Sequence, residues 1–598
     1  MKKRFDVIKA GCLLGLTAVL TFAGSAAGTV NNVYAEDTAS DTDTIKTTET
    51  DNTPITGETV YEYDQVIEKN ITTDIPVIPG VNYDIKVFFT GIEGKENGKP
   101  VRIYYEDVQF DQCVPNVQEP YKADGVDDRS GLLYELVKPG VTEERDFSVA
   151  ATDDKLTVIV VGDAKLLKIV VTPQEVKEAG KKRTVYVIGD SLVANYNSSQ
   201  YPMTGWGQML HEFFTDDIVI SNRAIGGRST LNFMNQGRLN DVLLNVRPGD
   251  YVLVTFGHND GGSVAGRACT TSAYKRYLED LYIEGVRQRG GIPVMVTLGN
   301  QNIFRNGEIA QSFPDYVKAM REAASEKDCL LIDLNEKSKA YFQEMHDTYG
   351  WGFLSDMVFN AFRAGIYDNA LNGAADSTHF QKYGATKLAE LVAEGIAEQK
   401  FEGLYEFYKA PVTYDKIPGK VSGLKTDLKK YDKAYTHMAW KEVKNADHYV
   451  IERASMDRSG FITDFEVLGY SPVAMFADPD RESDKAYMYR VFAVNNRGRS
   501  EEPSEYVFIG TDGVKEDDFR RRLENGMIGD GGAIEPEETP TPAVTADTGN
   551  STDIPVDTGD KNDKKEQKAF PFVLAGAGVF AVLLAAGILI YAKRKNKM

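Results

Sequence analysis

A chain of 598 residues is too long for one hydrophobic core and must divide into several domains. With 68 Lys and Arg against 89 Asp and Glu, its formal charge of −21 repels polyphosphates and argues against nucleic acid as a partner. The four cysteines, Cys12, Cys113, Cys269 and Cys329, are too scattered for a disulfide framework or a zinc site, and no His-Glu-x-x-His occurs, so neither a metal nor another cofactor is expected.

In chain order, a basic start (Lys2, Lys3, Arg4), an apolar stretch and a small-residue cleavage pattern at Val33-Tyr34-Ala35 read as a secretory signal over residues 1–35. Residues 36–56 are Thr/Asp-rich and nearly free of aliphatic side chains, which predicts a disordered spacer. Over 57–175, β-branched runs at 83–89, 101–105, 156–161 and 167–171, separated by Gly, Asn and Asp turns, predict a β-sandwich. From 183 to 408 the pattern changes. Near-continuous apolar runs at 185–188, 218–221, 251–255, 292–297 and 330–333 alternate with helical segments at 273–289 and 314–326, and a closing helix at 384–398 follows. Such runs predict a parallel sheet covered on both faces by helices, a three-layer α/β domain.

Residues 417–512 return to strand patterns. Trp440, the alternating Tyr487, Tyr489, Val491 and Ala493, and the closing Asn495, Gly498 and Ser500 resemble a fibronectin type III module. Residues 513–568, acidic, Pro/Thr-rich and then Lys-rich, predict a disordered stalk. The uncharged run 569–592 is long enough to cross a bilayer, and the basic tail 593–598 behind it predicts a single-pass anchor with the bulk of the chain facing outward. Residues 554–559 resemble a sortase signal with one residue too many between Pro555 and Thr558, so simple anchoring is the first reading and a variant sorting signal the second. The layout resembles a surface protein of a Gram-positive-type bacterium.

Four short blocks carry the chemistry: Gly189-Asp190-Ser191, the run Asn222 to Ser229 with Gly226-Gly227 inside it, Phe256-Gly257-His258-Asn259-Asp260, and Asp376-Ser377-Thr378-His379. A hydroxyl becomes a useful nucleophile only when a base takes its proton, and an imidazole needs a carboxylate to hold the tautomer that can do so. Ser191 is the candidate nucleophile, His379 the base and Asp376 its orienting partner. Ser191 follows an apolar strand and is expected to open a helix at the carboxyl edge of the sheet, where open α/β folds bind ligands. Its N–H, the N–H of Gly227 and the side-chain amide of Asn259 are candidate oxyanion donors. Other roles compete: Ser191 as a helix N-cap, Gly226-Gly227 as an ordinary turn, Asp260 as a cap of the helix after it, Arg228 as either a substrate contact or a loop brace. His258 is expected to be structural.

In this order the blocks resemble the SGNH (GDSL-type) hydrolases, most nearly the rhamnogalacturonan acetylesterase-like group, over residues 183 to 400. The resemblance implies a surface serine esterase that removes acetyl or other small acyl groups from an acylated polysaccharide through an acyl-enzyme, without a metal. It also implies that the three-layer α/β domain is flavodoxin-like and that the N-terminal sandwich is galactose-binding-like. Two alternatives remain. A lipase or thioesterase would need an acyl groove, and the apolar segment 350–372, with Trp351, Phe353, Leu354, Met357, Phe359 and Phe362, is placed either to line one or to pack under a domain interface. An inactive adhesin would have no use for the four blocks.

Overall fold

The computed structural model describes residues 53–95, 99, 101–105, 132–133, 138–264, 266–426 and 436–529. The expected signal, anchor, basic tail and sorting-like segment lie outside them, as do Cys12 and Cys113. Among the described residues no helix is long and apolar enough to cross a membrane.

Two four-stranded antiparallel sheets form the N-terminal sandwich. One orders Thr59–Val66, Ala164–Pro173, Asn82–Gly91 and Thr142–Ala150; the other orders Asn70–Pro76, Lys155–Val161, Arg102–Tyr105 and Leu132–Leu133. Alternation in Asn82–Gly91 sends Tyr83, Ile85, Val87 and Phe89 to the interior, where each is fully buried. Ile55 joins this core and its N–H donates to Pro76 O at 3.1 Å, so it belongs to the sandwich and not to the disordered spacer expected over 36–56.

The central domain holds five parallel strands: β1 (Arg183–Gly189), β2 (Ile218–Asn222), β3 (Tyr251–Thr255), β4 (Ile292–Val296) and β5 (Leu330–Ile332), in the order β2-β1-β3-β4-β5. This is the flavodoxin-like order, with its switch point between β1 and β3. Because both faces are covered, every residue of β3 is buried, which is why these strands read as unbroken apolar runs. Val187, Leu253 and Val294 pack on one face against the closing helix Lys382–Glu398. Ile188, Val254 and Met295 pack on the other against Leu278, Tyr282 and Met320.

The C-terminal module pairs a three-stranded antiparallel sheet (Lys425–Thr426, Thr436–Ala439, Met475–Asp478) with a five-stranded one built on His448–Asp457 and Lys485–Asn495. Tyr487, Tyr489, Val491 and Ala493 fill the space between them with Trp440 and Phe476. The interleaved residues of that strand, Ala486 and Met488, are buried too, because the helix Glu516–Glu524 lays Phe519 against them. Residues 513–529 are therefore part of the folded module and not of the disordered stalk expected there. The charge of Glu-Asp-Asp-Phe-Arg-Arg-Arg hides one buried anchor, Phe519, and the acidic first turn and basic last turn suit the helix dipole.

Candidate active site

The carboxyl ends of β1, β2 and β3 converge on one edge of the sheet. Gly189 ends β1 beside Thr255, and a Cβ there would stand 2.6 Å from Thr255 O, so only glycine allows the strands this approach. Ser191 follows in a turn, not at the start of a helix as expected. One turn forms, with Ala194 N donating to Asp190 O at 3.1 Å, but the next carbonyls are taken from outside it: Ser191 O by the Tyr196 hydroxyl at 2.7 Å, Leu192 O by Trp206 N at 2.9 Å, and Val193 O by the Asn222 amide at 2.7 Å. A helix dipole therefore contributes nothing at Ser191. Asp190 closes the turn by accepting from Leu192 N at 2.9 Å.

Ser191, His379 and Asp376 stand in series. Ser191 Oγ lies 2.8 Å from His379 Nε2, and His379 Nδ1 lies 2.7 Å from Asp376 Oδ2. The other carboxylate oxygen of Asp376 accepts from the N–H of Thr378 at 2.8 Å and of His379 at 3.1 Å, so the four-residue segment is folded around its own aspartate. From the end of β4, Gln301 donates to Thr378 Oγ1 at 2.7 Å and Asn302 N to Ser377 O at 2.8 Å, which pins the segment to the sheet. Burial alone would raise Asp376, but the His379 bond and charge and the two backbone donors bring it down to about 2. Burial would likewise pull His379 down, and the bond and charge of Asp376, helped by the Asp190 charge, outweigh it and hold the imidazole above its ordinary value. With side chains about 30 % exposed, both remain within reach of solvent and substrate.

Gly227 follows β2 with φ +74°, a conformation that disfavours any residue with a Cβ. Among the described residues neither its N–H nor that of Ser191 donates to a protein acceptor. Asn259 follows β3; its amide donates to Arg228 O at 2.9 Å, which fixes the group and leaves its second hydrogen free. Three donors are thus left available at the carboxyl ends of β1, β2 and β3. Arg228 braces the loop: it is buried and donates to Gly226 O at 2.8 Å and to Gln236 at 3.0 Å.

Asp260 departs from its expected role. Fully buried, it accepts from Thr230 N at 2.9 Å and so caps the helix Thr230–Asn235, not the one that follows it in sequence. Burial, opposed by the Thr230 and Cys269 donors, raises its carboxyl to about 7. His258 lies 3.5 Å from the Asp190 carboxylate, edge-on to Phe313. Tyr196 had no motif to announce it. Arg267, in the glycine-rich loop after Asp260, had only that loop as a signal.

The segment 350–372 forms no groove. Phe353, Leu354, Met357, Phe359 and Phe362 are buried, and Phe353 is ringed by Tyr349, Tyr470 and His448 of the interface with the C-terminal module. Only Trp351 among the named apolar residues is exposed, with its ring tilted against Phe304 and edge-on to His346.

Such an arrangement at the switch point of a doubly wound sheet defines a class, and the chain is a carboxylic ester hydrolase of it. It belongs to the GDSL-like Lipase/Acylhydrolase family, whose sequence model matches residues 187–381. Among similar proteins, the probable rhamnogalacturonan acetylesterase YesY of Bacillus subtilis (strain 168) is 38 % identical over 216 residues, 36 % of this chain and 92 % of that protein. The rhamnogalacturonan acetylesterase RhgT of the same organism is 35 % identical over 215 residues, 36 % of this chain and 89 % of that one. A crystal structure of the Bacillus subtilis YxiM protein aligns over 56 % of this chain and 82 % of its own, at 22 % identity and a TM-score of 0.31.

Proposed function

We propose that the chain removes acetyl groups from a polysaccharide of the rhamnogalacturonan type through an acyl-enzyme on Ser191. The observation that carries this reading is the unbroken series Ser191–His379–Asp376. Ser191 Oγ attacks the acetyl carbonyl while His379 Nε2 takes its proton, and the developing oxyanion is met by the Ser191 and Gly227 N–H groups and the Asn259 amide. His379 then returns the proton to the departing sugar oxygen. A water, deprotonated by the same imidazole, attacks the acyl-enzyme and releases acetate. The names of YesY and RhgT support the substrate class.

Burial of the apolar segment favours a short acyl site. Rates on nitrophenyl esters are therefore expected to fall from acetate to octanoate, whereas a groove would gain ~0.8 kcal/mol per buried methylene. We read the two-sheet module at 417–512 as fibronectin type III-like and the enzyme as anchored at the cell surface, on the sequence features at either end of the chain.

Acetate release from acetylated pectin, xylan and peptidoglycan tests the proposal. Ser191→Ala and His379→Ala should each lose at least about three powers of ten in kcat, with Asp376→Asn losing less. Near-normal turnover by a folded Ser191→Ala would overturn the assignment. Since His379 must be neutral to act, activity should rise with pH through a value above 6.5, and Asp376→Asn should move that limb to lower pH.

A further inference from the structure

The mechanism above makes no use of Arg267. This residue sits half-buried in the loop between Asp260 and the helix Thr271–Arg276. A Cβ built on Gly227 would stand 3.2 Å from Arg267 Nη1 and 3.3 Å from both Cζ and Nη2. Three nearly equal distances mean that the guanidinium lies flat against the Cα face of the glycine, so its N–H edges point away from that peptide. Among the described residues those edges meet no carboxylate, carbonyl or hydroxyl. Its neighbour Arg228, by contrast, is consumed by Gly226 O and Gln236.

A planar cation with idle donors, held beside an oxyanion donor, is suited to a planar anion that arrives with the substrate. Arginine binds carboxylates through two parallel, charge-assisted hydrogen bonds, a geometry that lysine does not offer. We propose that Arg267 is the specificity-determining residue that binds the carboxylate of a uronic acid unit, carried on or next to the sugar whose ester enters at Ser191. This rests on the polysaccharide reading above and deepens it by naming the side chain that reads the uronate. The chain's own charge of −21 makes such a contact more necessary, because the long-range field repels a polyuronate and only a cation at contact distance holds it. A role in stabilising the oxyanion itself fits less well, since the guanidinium covers the Cα face of Gly227 whereas that charge is met by N–H groups.

Inhibition of p-nitrophenyl acetate hydrolysis by ester-free oligogalacturonate, with neutral xylo-oligosaccharide as the control, tests this on the full chain. In Arg267→Gln the ratio of the two inhibition constants, uronate over neutral, should rise about tenfold or more, the loss of one charge-assisted contact. Arg267→Lys should recover part of it. A ratio unchanged in Arg267→Gln overturns the proposal, as does a wild type that oligogalacturonate does not inhibit. A loss of kcat on the small ester with the ratio unchanged also overturns it and makes Arg267 an oxyanion group. The parent reading fails differently: wild type that is inhibited by oligogalacturonate in an Arg267-dependent way, yet releases no acetate from any acetylated polymer, keeps the uronate site and removes the acetylesterase function.

Discussion

The N-terminal sandwich keeps its hydrophobic core almost to itself, whereas the C-terminal module shares one with the hydrolase. Across the first boundary the contacts are mainly polar. Asn240 accepts from Ala150 N at 2.8 Å and donates to Ser148 O at 3.2 Å, Arg289 donates to Ala151 O at 2.9 Å and Asn82 at 3.2 Å, and Gln288 donates to Thr152 O at 3.0 Å. Ala150 is the sandwich's one member of the hydrolase core on that side. Across the second boundary Val450, Tyr470 and Val494 belong to the same apolar cluster as Val187, Leu253 and Leu388. Side chains aimed at backbone groups fix an orientation and tolerate separation; a shared core does not, because opening it exposes apolar surface on both sides. The two β modules are thus different kinds of neighbour, one docked and one fused.

Truncation tests this most severely. Removing residues 411–529 should strip Tyr349, Phe353 and Leu354 of their cover and cost more than about tenfold in soluble esterase activity, through misfolding and aggregation. Removing residues 1–174 should leave a folded enzyme whose activity on p-nitrophenyl acetate stays within about threefold of the full chain. Equal losses in the two truncations would erase the distinction.

Point substitutions sharpen it. Tyr470 is buried, touches the Phe353 ring at 5.0 Å between centroids, and donates its hydroxyl to Tyr349 O at 2.9 Å. Tyr470→Ala should destabilise the chain by about 3 kcal/mol in urea unfolding, as a large aromatic removed from a core does. Asn240→Ala at the other boundary should cost about 1 kcal/mol, the scale of hydrogen bonds exchanged with water. A larger loss at Asn240 than at Tyr470 would reverse the ranking.

These interfaces also mark where the sequence stopped being legible. All five central strands lie on the apolar runs, and Pro314–Glu326 falls at its expected bounds, because full burial on both faces leaves an unambiguous signal. The helix Leu334–Tyr349 gave none. Its buried face is Leu334, Asn335, Ser338 and Phe342, and the polar half of it is satisfied by Asn300, which donates to Asn335 O at 2.6 Å and to Ser338 at 3.2 Å. A hydrogen-bonded core face has no hydrophobic period to read. The candidate site stood out in the sequence because short motifs carry Ser191, Gly227, Asn259, Asp376 and His379; the first three follow β1, β2 and β3, and His379 meets Ser191 and Asp376. The ending of the turn at Ser191 was not visible, because its cause is tertiary: Tyr196, Trp206 and Asn222 take the carbonyls with which a helix would continue. Likewise the aromatic content of 350–372 was evident while its destination was not, since the partner surface lies a hundred residues away in the chain.

The remaining expected effect is electrostatic, depends on pH and sits inside the fused boundary. Asp356 is buried there; its Oδ2 accepts from Tyr470 N at 3.1 Å, and Arg363 stands 3.8 Å from Oδ1 while donating to Leu468 O. Burial raises its carboxyl to about 6, against the pull of Arg363 and the Tyr470 N–H. With the folded value above the unfolded one near 4, its contribution to stability is complete below about pH 4 and is lost as pH rises through about 6. His448, on the facing strand, is shifted the other way: burial, with the charge of Lys387, lowers it to about 4, so its contribution is present above about 6.5 and lost as pH falls through about 4. Between about pH 4 and 6 the two slopes oppose one another, each worth on the order of 3 kcal/mol over its full range. Asp356→Asn keeps an oxygen for Tyr470 N and removes one of the two slopes. Its Tm, subtracted from that of wild type at each pH, should therefore show the variant gaining on wild type from pH 4 to 6 and level above that. A difference independent of pH would mean that Asp356 is ionised in both states and that the boundary holds a charge it has fully paired.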